Sequence, residues 1–368
     1  MRAAILQPYV TPYRVPLFNA LSAMPGLELI VLTYGQPEKR RVWSHVDFPE
    51  QAFEIVSCRD IGFSLTYERR IQVPLGLQRI LARLRPDVIV TALDAAALEA
   101  QVYARRRSAG LVLWFEGTQL TEAGRGRVRT FLRREMIRHL DAAVVPGRLS
   151  AEYLRLLGCR EPIEIGPNSV EESRFRVSED EIVRKHSLPT VSIVFSGSLV
   201  RRKGVDILVQ AYQEVLRRRP GWRHKTTLHL VGTGPLGGHL GGAGVVEHGF
   251  LGGEDYAQTL KQGQVFVMPS LSDCNPLTVV EALIAGNIVV ASDHVGSYPE
   301  AVRGNGRVVA AGSASELAAA LHEILSLPVD ERATMGCRSA QLARNFSVSR
   351  SAEGLARALF HAASRHSQ

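Results

Sequence analysis

The chain has 368 residues, of which 45% are hydrophobic and 22% charged, enough for two hydrophobic cores and unlike a disordered chain. Its net charge of +8 is uneven, since residues 1–170 carry 23 Lys and Arg against 17 Asp and Glu, and the rest carry 21 against 19. Four scattered cysteines, Cys58, Cys159, Cys274 and Cys337, form no C-x-x-C pair and read as free thiols in a reducing compartment. Residues 1–9 have too short an apolar run for a signal peptide, and no run approaches the roughly 18 apolar residues of a spanning helix. A cytoplasmic protein is expected.

In chain order, apolar runs bounded by turn residues predict strands at 3–6, 27–32, 53–56, 88–90, 111–114 and 142–145. Helical patterns lie at 15–23, 75–84, 96–107 and 128–140. Such alternation predicts a parallel sheet with helices on both faces, and ligands in these sheets bind at the carboxyl ends of the strands. After the first strand comes a stiff loop with Pro12, Tyr13, Arg14 and Pro16. Arg14 near a helix start opposes the dipole, so it either meets a ligand anion or is solvated beside packed tyrosines. No G-x-G-x-x-G follows, which argues against a dinucleotide-dependent dehydrogenase. Residues 58–70, with Tyr67, Arg69 and Arg70, read as a polar, basic loop. Glu116 follows the fifth strand and precedes Gly117 and Thr118; it is either a cleft-facing functional carboxylate or a turn-stabilising acid.

Residues 125–138 form a basic amphipathic pattern with Arg125, Arg127, Arg129, Arg133, Arg134 and Arg138. A surface helix with a solvated face is one reading. The other is peripheral contact with anionic lipid on the inner face of the cell membrane. Aromatic interleaving is too poor for base stacking, so no nucleic-acid partner is expected.

Residues 172–185 are charged, lack strong apolar periodicity and read as the passage between domains. The domains expected are 1–170 and 171–349, with a final helix at 350–364 free to pack back on either. Strands recur at 191–195, 227–231, 245–248, 265–268 and 288–291, with helices at 205–216, 256–261, 276–285 and 314–326. Three strand ends carry chemistry. The first runs through Gly197 and Ser198 to Arg202, Lys203 and Gly204, where small residues admit a ligand and the cations can neutralise a diphosphate. The second is the glycine turn at Gly232 and Gly234. The third runs from Ser270 to Gly286. There Asn275 is expected as N-cap, Pro276 as first helical residue and Gly286 as helix stop. The orphan amides of Leu277 and Thr278 make an anion site between the carboxylates of Asp273 and Glu281. That arrangement suits a sugar nucleotide.

Gly197-Ser198-Leu199-x3-Lys203-Gly204, Gly232-x-Gly234-Pro235, Asp273-x7-Glu281, Ala285-Gly286 and Gly296-x2-Pro299-Glu300 resemble the donor domain of retaining GT4 glycosyltransferases over about 190–330. Pro12-Tyr13-Arg14-x-Pro16 and Pro167-Asn168 resemble the acceptor domain more weakly. The resemblance implies the GT-B fold, two Rossmann-like doubly wound α/β domains facing a central cleft, and a hexosyl- or glycosyltransferase (EC 2.4). It implies that Lys203 and Arg202 hold the donor diphosphate, that Glu281 binds the ribose and that Asp273 meets sugar hydroxyls. Gly197, Ser198, Gly232 and the amides from Asn275 to Thr278 would complete the donor site. Tyr13, Arg14 and Glu116 would lie on the acceptor side. The partners implied are a nucleotide sugar and an acceptor glycan, lipid-linked intermediate or small molecule; no cofactor or metal is implied. Three departures stand out: Asp273 replaces a glutamate, Ser198 an arginine and Glu116 a histidine. The changes at Asp273 and Glu116 keep open a non-catalytic sugar-nucleotide-binding subunit, and a nucleotide-sugar epimerase shares the fold.

Overall fold

The computed structural model describes residues 1–35, 49–66, 69–123 and 126–366, with backbone alone at 64–66 and 69–70. Tyr67, Arg125 and the side chains of Arg69 and Arg70 lie outside that description. The chain divides into two compact units, Met1–Ser169 with Val348–Gln368, and Val170–Ser347.

The first unit opens with β1 (Arg2–Gln7), α1 (Val15–Ser22), β2 (Glu28–Thr33) and β3 (Glu54–Ser57). A hairpin of β4 (Arg59–Thr66) and β5 (Arg69–Leu75) follows. Then come α2 (Leu77–Leu84), β6 (Val88–Thr91), α3 (Ala96–Arg107), β7 (Gly110–Trp114), α4 (Arg127–Ile137), β8 (Ala142–Val145), α5 (Arg148–Leu156) and β9 (Ile163–Ile165). Seven strands pair in parallel in the order β3-β2-β1-β6-β7-β8-β9. Every residue of β6, β7 and β8 is buried, because helices cover both faces and leave no wet side for polar residues. Leu77, Leu81, Tyr103, Ile137 and Leu154 fill one face. Phe18 and Leu21 of α1 fill the other with Leu355 and Leu359 of the C-terminal helix, Val348–Ser364.

The hairpin corrects the loop expected at 58–70. Ile61, Phe63, Ile71 and Val73 alternate with period two, and cross-strand pairing of such residues favours strands over a loop.

The second unit holds α6 (Glu179–His186), β10 (Val191–Ser196), α7 (Val205–Arg218), β11 (Thr226–Val231), β12 (Val245–Gly249), α8 (Gly253–Gln262) and β13 (Val265–Met268). It continues through α9 (Leu277–Ile284), β14 (Ile288–Ser292), α10 (Tyr298–Ala301), β15 (Gly306–Val309), α11 (Ala314–Ser326) and α12 (Val329–Ala343). Its sheet is parallel in the order β12-β11-β10-β13-β14-β15. The expected passage at 172–185 contains α6, which a capping box starts. The Glu181 N–H donates to Ser178 Oγ (3.2 Å), and the Ser178 N–H donates to Glu181 Oε2 (2.7 Å). Local capping therefore substitutes for the apolar periodicity that the segment lacks.

The last turn of α6 buries a cation. Lys185 is 7% exposed, and its Nζ donates to Ala285 O and Asn287 Oδ1, both at 2.6 Å. His186 pairs with Gly286 O at 3.1 Å. These groups cap the carboxyl end of α9, where the helix dipole favours positive charge. Both acceptors of Lys185 are neutral, and burial pulls its ammonium down to about 7 from the ordinary 10.5. Burial and the neighbouring Lys185 pull His186 down to about 4. Because the folded value of Lys185 is lowered, the cost of burying its charge is complete below about pH 7. Stability is recovered as pH rises towards 10.5, with a slope of at most about 1.4 kcal/mol per pH unit. Thermal melts from pH 7 upward should show this rise in the wild type and a flatter profile in Lys185→Met. Equal slopes would contradict the assignment.

Candidate functional site

The residues singled out in the second unit gather at the carboxyl ends of β10, β11, β13 and β14. After β10 the chain passes Gly197 and exposed Ser198 into a short 3-10 turn, Arg201–Lys203. Gly204 ends that turn at φ +67°, and a Cβ there would lie 2.2 Å from Pro269 O. After β11, Gly232 sits at φ +137°, and its Cβ would lie 1.9 Å from Gly197 O. Both positions therefore need glycine for conformation and for space. The Leu199 N–H donates to Thr233 O (2.9 Å) and locks the two loops together.

The loop from β13 to α9 is fastened on both sides. The Leu271 N–H donates to Arg202 O (2.8 Å), and Arg202 Nη1 donates to Ser272 O (2.7 Å). The Asp273 N–H donates to His294 O (3.1 Å), and the Gly296 N–H donates to Asp273 O (2.8 Å). Across this frame Lys203 Nζ forms an ion pair with the Asp273 carboxylate, both side chains being largely buried. Two of the expected ligand groups thus neutralise each other.

α9 starts at Leu277, one residue later than expected. Pro276 is the N-cap, with extended backbone and no side-chain cap, so the capping role expected of Asn275 is corrected. With no N–H of its own, Pro276 fits the helix start, and Asn275 is left to the loop. Asn275 Nδ2 and Thr278 Oγ1 are buried and lack a hydrogen-bond partner among the described residues. An unsatisfied buried group costs about 1–3 kcal/mol, which a ligand oxygen offsets. The Leu277 and Thr278 amides lie in the same first turn, where positive partial charge collects. Gly286, at φ +68°, ends the helix as expected.

Glu281 lies about one turn deeper, and its Oε2 accepts from Tyr256 Oη at 2.5 Å. Burial pushes its carboxyl up to about 7, against the pull of the Tyr256 hydrogen bond and Arg174. Burial and Glu281 also push the Tyr256 phenol well up. Phe175 packs edge-on against Tyr256, with centroids 5.8 Å apart. Tyr256 and Arg174 escaped sequence reasoning. Tyr256 lies 25 residues before Glu281 on a different helix, and no local spacing signals the contact.

In the first unit two of the three acceptor-side candidates, Arg14 and Glu116, meet beyond the carboxyl ends of β1 and β7. Tyr13 is half-buried in the turn Pro12–Arg14. Arg14 Nη2 donates to Glu116 Oε1 at 2.8 Å, and its guanidinium lies 4.0 Å from the Trp114 ring centroid. Glu116 compensates Arg14 here, and at 16% side-chain exposure Arg14 is not the solvated arginine of the second expectation. Beside the pair is a cavity of about 290 Å³ lined by Gln7, Thr91, Trp114, Glu122 and Arg133, among others. Trp114 Nε1 is buried without a partner among the described residues. Arg133, expected on the cationic face of α4, is buried in an ion pair with Glu122.

The model of the family "Glycosyl transferases group 1" matches residues 190–326. That of "Glycosyl transferase 4-like domain" matches residues 10–169. The D-inositol 3-phosphate glycosyltransferase of Actinosynnema mirum is 30% identical over 258 residues, covering 64% of this chain and 61% of that protein. The sulfoquinovosyl transferase of Arabidopsis thaliana is 25% identical over 317 residues, covering 80% of this chain and 59% of that protein. The chain thus spans about three fifths of the length of these relatives. Among solved structures, sucrose-phosphate synthase from Thermosynechococcus elongatus has a TM-score of 0.74 at 18% identity, covering 98% of this chain and 99% of that one. The Anabaena HepE protein in complex with UDP has a TM-score of 0.73 at 17% identity, covering 98% and 100%. The two matched domains and the shared architecture place the chain in the GT4 family of glycosyltransferases, with the GT-B fold.

Proposed function

We propose that this chain transfers a sugar from a nucleoside-diphosphate sugar to an acceptor hydroxyl, with retention and without a metal. The observation that carries the reading is the first turn of α9. Unpartnered Asn275 Nδ2 and Thr278 Oγ1 stand there beside orphan amides, on the loop and helix that also carry Asp273, the ion-pair partner of Lys203, and Glu281. A structural neighbour is described in complex with UDP-glucose, and the curated relatives are named as glycosyltransferases. Lys203 and Arg202 would hold the diphosphate, Glu281 the ribose and Asp273 the sugar hydroxyls. Gly197, Ser198 and Gly232 would let the donor approach the backbone. The largest rate term would be stabilisation of charge on the departing diphosphate by these cations and the helix amides. A diphosphate oxygen on the same face would assist loss of the acceptor proton. Tyr13, Arg14 and Glu116 would position an acceptor glycan, lipid-linked intermediate or small molecule.

A non-catalytic nucleotide-sugar-binding subunit is the second reading. It rests on Asp273 and Glu116, both departures from the family pattern and both engaged in ion pairs. It predicts donor binding without release of nucleoside diphosphate.

The lipid contact of α4 belongs to the same proposal. Val128, Phe131 and Leu132 are 74%, 61% and 56% exposed, among exposed Arg127, Arg134 and Arg138. No helix of the described residues is long and apolar enough to cross a membrane. We infer peripheral attachment at the cytoplasmic face. Co-sedimentation with anionic vesicles should weaken with salt and on reversing Arg127 and Arg134; binding unchanged by both would refute it.

Calorimetric titration with UDP, GDP and ADP across pH tests the donor site. Lys203→Ala and Glu281→Ala should each lower affinity for the preferred nucleotide about tenfold or more, equal to about 1.4 kcal/mol. Affinity should rise as pH passes about 7, where the Glu281 carboxyl ionises. Tyr256→Phe removes a hydrogen bond that holds this value down, so the profile should move to higher pH. Wild-type affinity in both alanine variants would sink the site assignment.

A further inference from the structure

The hairpin β4–β5 carries an exposed surface outside the candidate site residues described above. Arg59 pairs with Leu75, Ile61 with Val73 and Phe63 with Ile71, and paired residues share a face. That face leaves Ile61 59%, Phe63 52%, Leu75 45% and Val73 38% exposed. The opposite face turns inward. Pro74 is buried, and Gln72 lies so close to Gly35 that a Cβ there would come 2.2 Å from its Nε2. The Cys58 thiol donates to Leu75 O at 2.9 Å and ties the base of the hairpin down. Antiparallel sheets with one wet face normally put polar residues there. This one puts an apolar ladder there.

The same unit exposes the apolar stripe of α4 among its arginines, and Arg59 adds an exposed cation to the hairpin face. Apolar side chains bordered by arginines complement an anionic bilayer, whose headgroups meet the cations while the apolar groups reach the acyl boundary. We propose that the outer face of β4–β5 inserts into the surface of an anionic lipid bilayer and gives the first unit a second lipid contact besides α4. The proposal deepens the lipid reading of α4 and stands apart from sugar transfer.

The test is co-sedimentation of the full chain with vesicles of phosphatidylcholine plus phosphatidylglycerol, and with phosphatidylcholine alone. Ile61→Thr with Phe63→Thr keeps β-branched residues in the strand and removes apolar area. Less apolar area then leaves water, so partitioning should fall about tenfold or more. Phe63→Leu should retain most of the binding. Val73→Thr should lose part of it and serves if the double variant does not fold. Stabilisation by the preferred nucleotide in a thermal melt should stay at the wild-type level in every variant. Wild-type partitioning of a folded double variant overturns the proposal. So does a wild-type dimer in analytical sedimentation that the double variant loses. If the α4 reversal abolishes binding while the hairpin variants have no effect, the hairpin proposal falls and α4 stands.

Discussion

The ion pair between Lys203 and Asp273 joins the two loops on which the strand edge of the second unit depends. Lys203 stands on a turn that Gly204 presses against Pro269, and Asp273 is fixed through its backbone to His294 and Gly296. The pair therefore bridges loops that are already fastened, and it neutralises a lysine beside the loop that leads into α9. In the proposed reaction a diphosphate takes over Lys203, and Asp273 is released towards the hydroxyls of the sugar. Coupling of the two events would let one carboxylate serve both the empty and the occupied site.

α9 is fixed at both ends by different physics. Its amino end presents orphan amides and two unpartnered side-chain groups. Its carboxyl end is held by Lys185, His186 and Asn287, a buried network just before the amino end of β14. A helix clamped at its carboxyl end points its amino end in one direction, and such pre-organisation is what a site that stabilises developing charge requires.

Much of this was legible in the sequence. The buried strands β7, β8 and β13 are apolar throughout, and β6 and β14 are apolar up to a closing Thr91 and Ser292. Lys203 and Asp273 follow strand ends, where parallel sheets bind ligands, and Glu281 lies about one turn into α9. What stayed hidden were contacts between distant segments. Nothing near Arg14 in the chain signals Glu116, and nothing near Glu281 signals Tyr256. Arg133 reads as one arginine among six until tertiary packing turns it inward to Glu122. The start of α6 rests on a capping box, and α12 buries Ala, Gly, Ser and Met in place of a large apolar stripe. Both patterns are weaker than periodicity of large side chains.

Transfer of the sugar is the central claim, and product mass tests it most directly. The wild-type chain is incubated with UDP-, GDP- and ADP-sugars and candidate acceptors, and the products are weighed by mass spectrometry. The account predicts that one donor yields free nucleoside diphosphate, together with an acceptor heavier by one glycosyl unit. A donor that binds and remains intact with every acceptor, or that is converted into an isomer of unchanged mass, would contradict it.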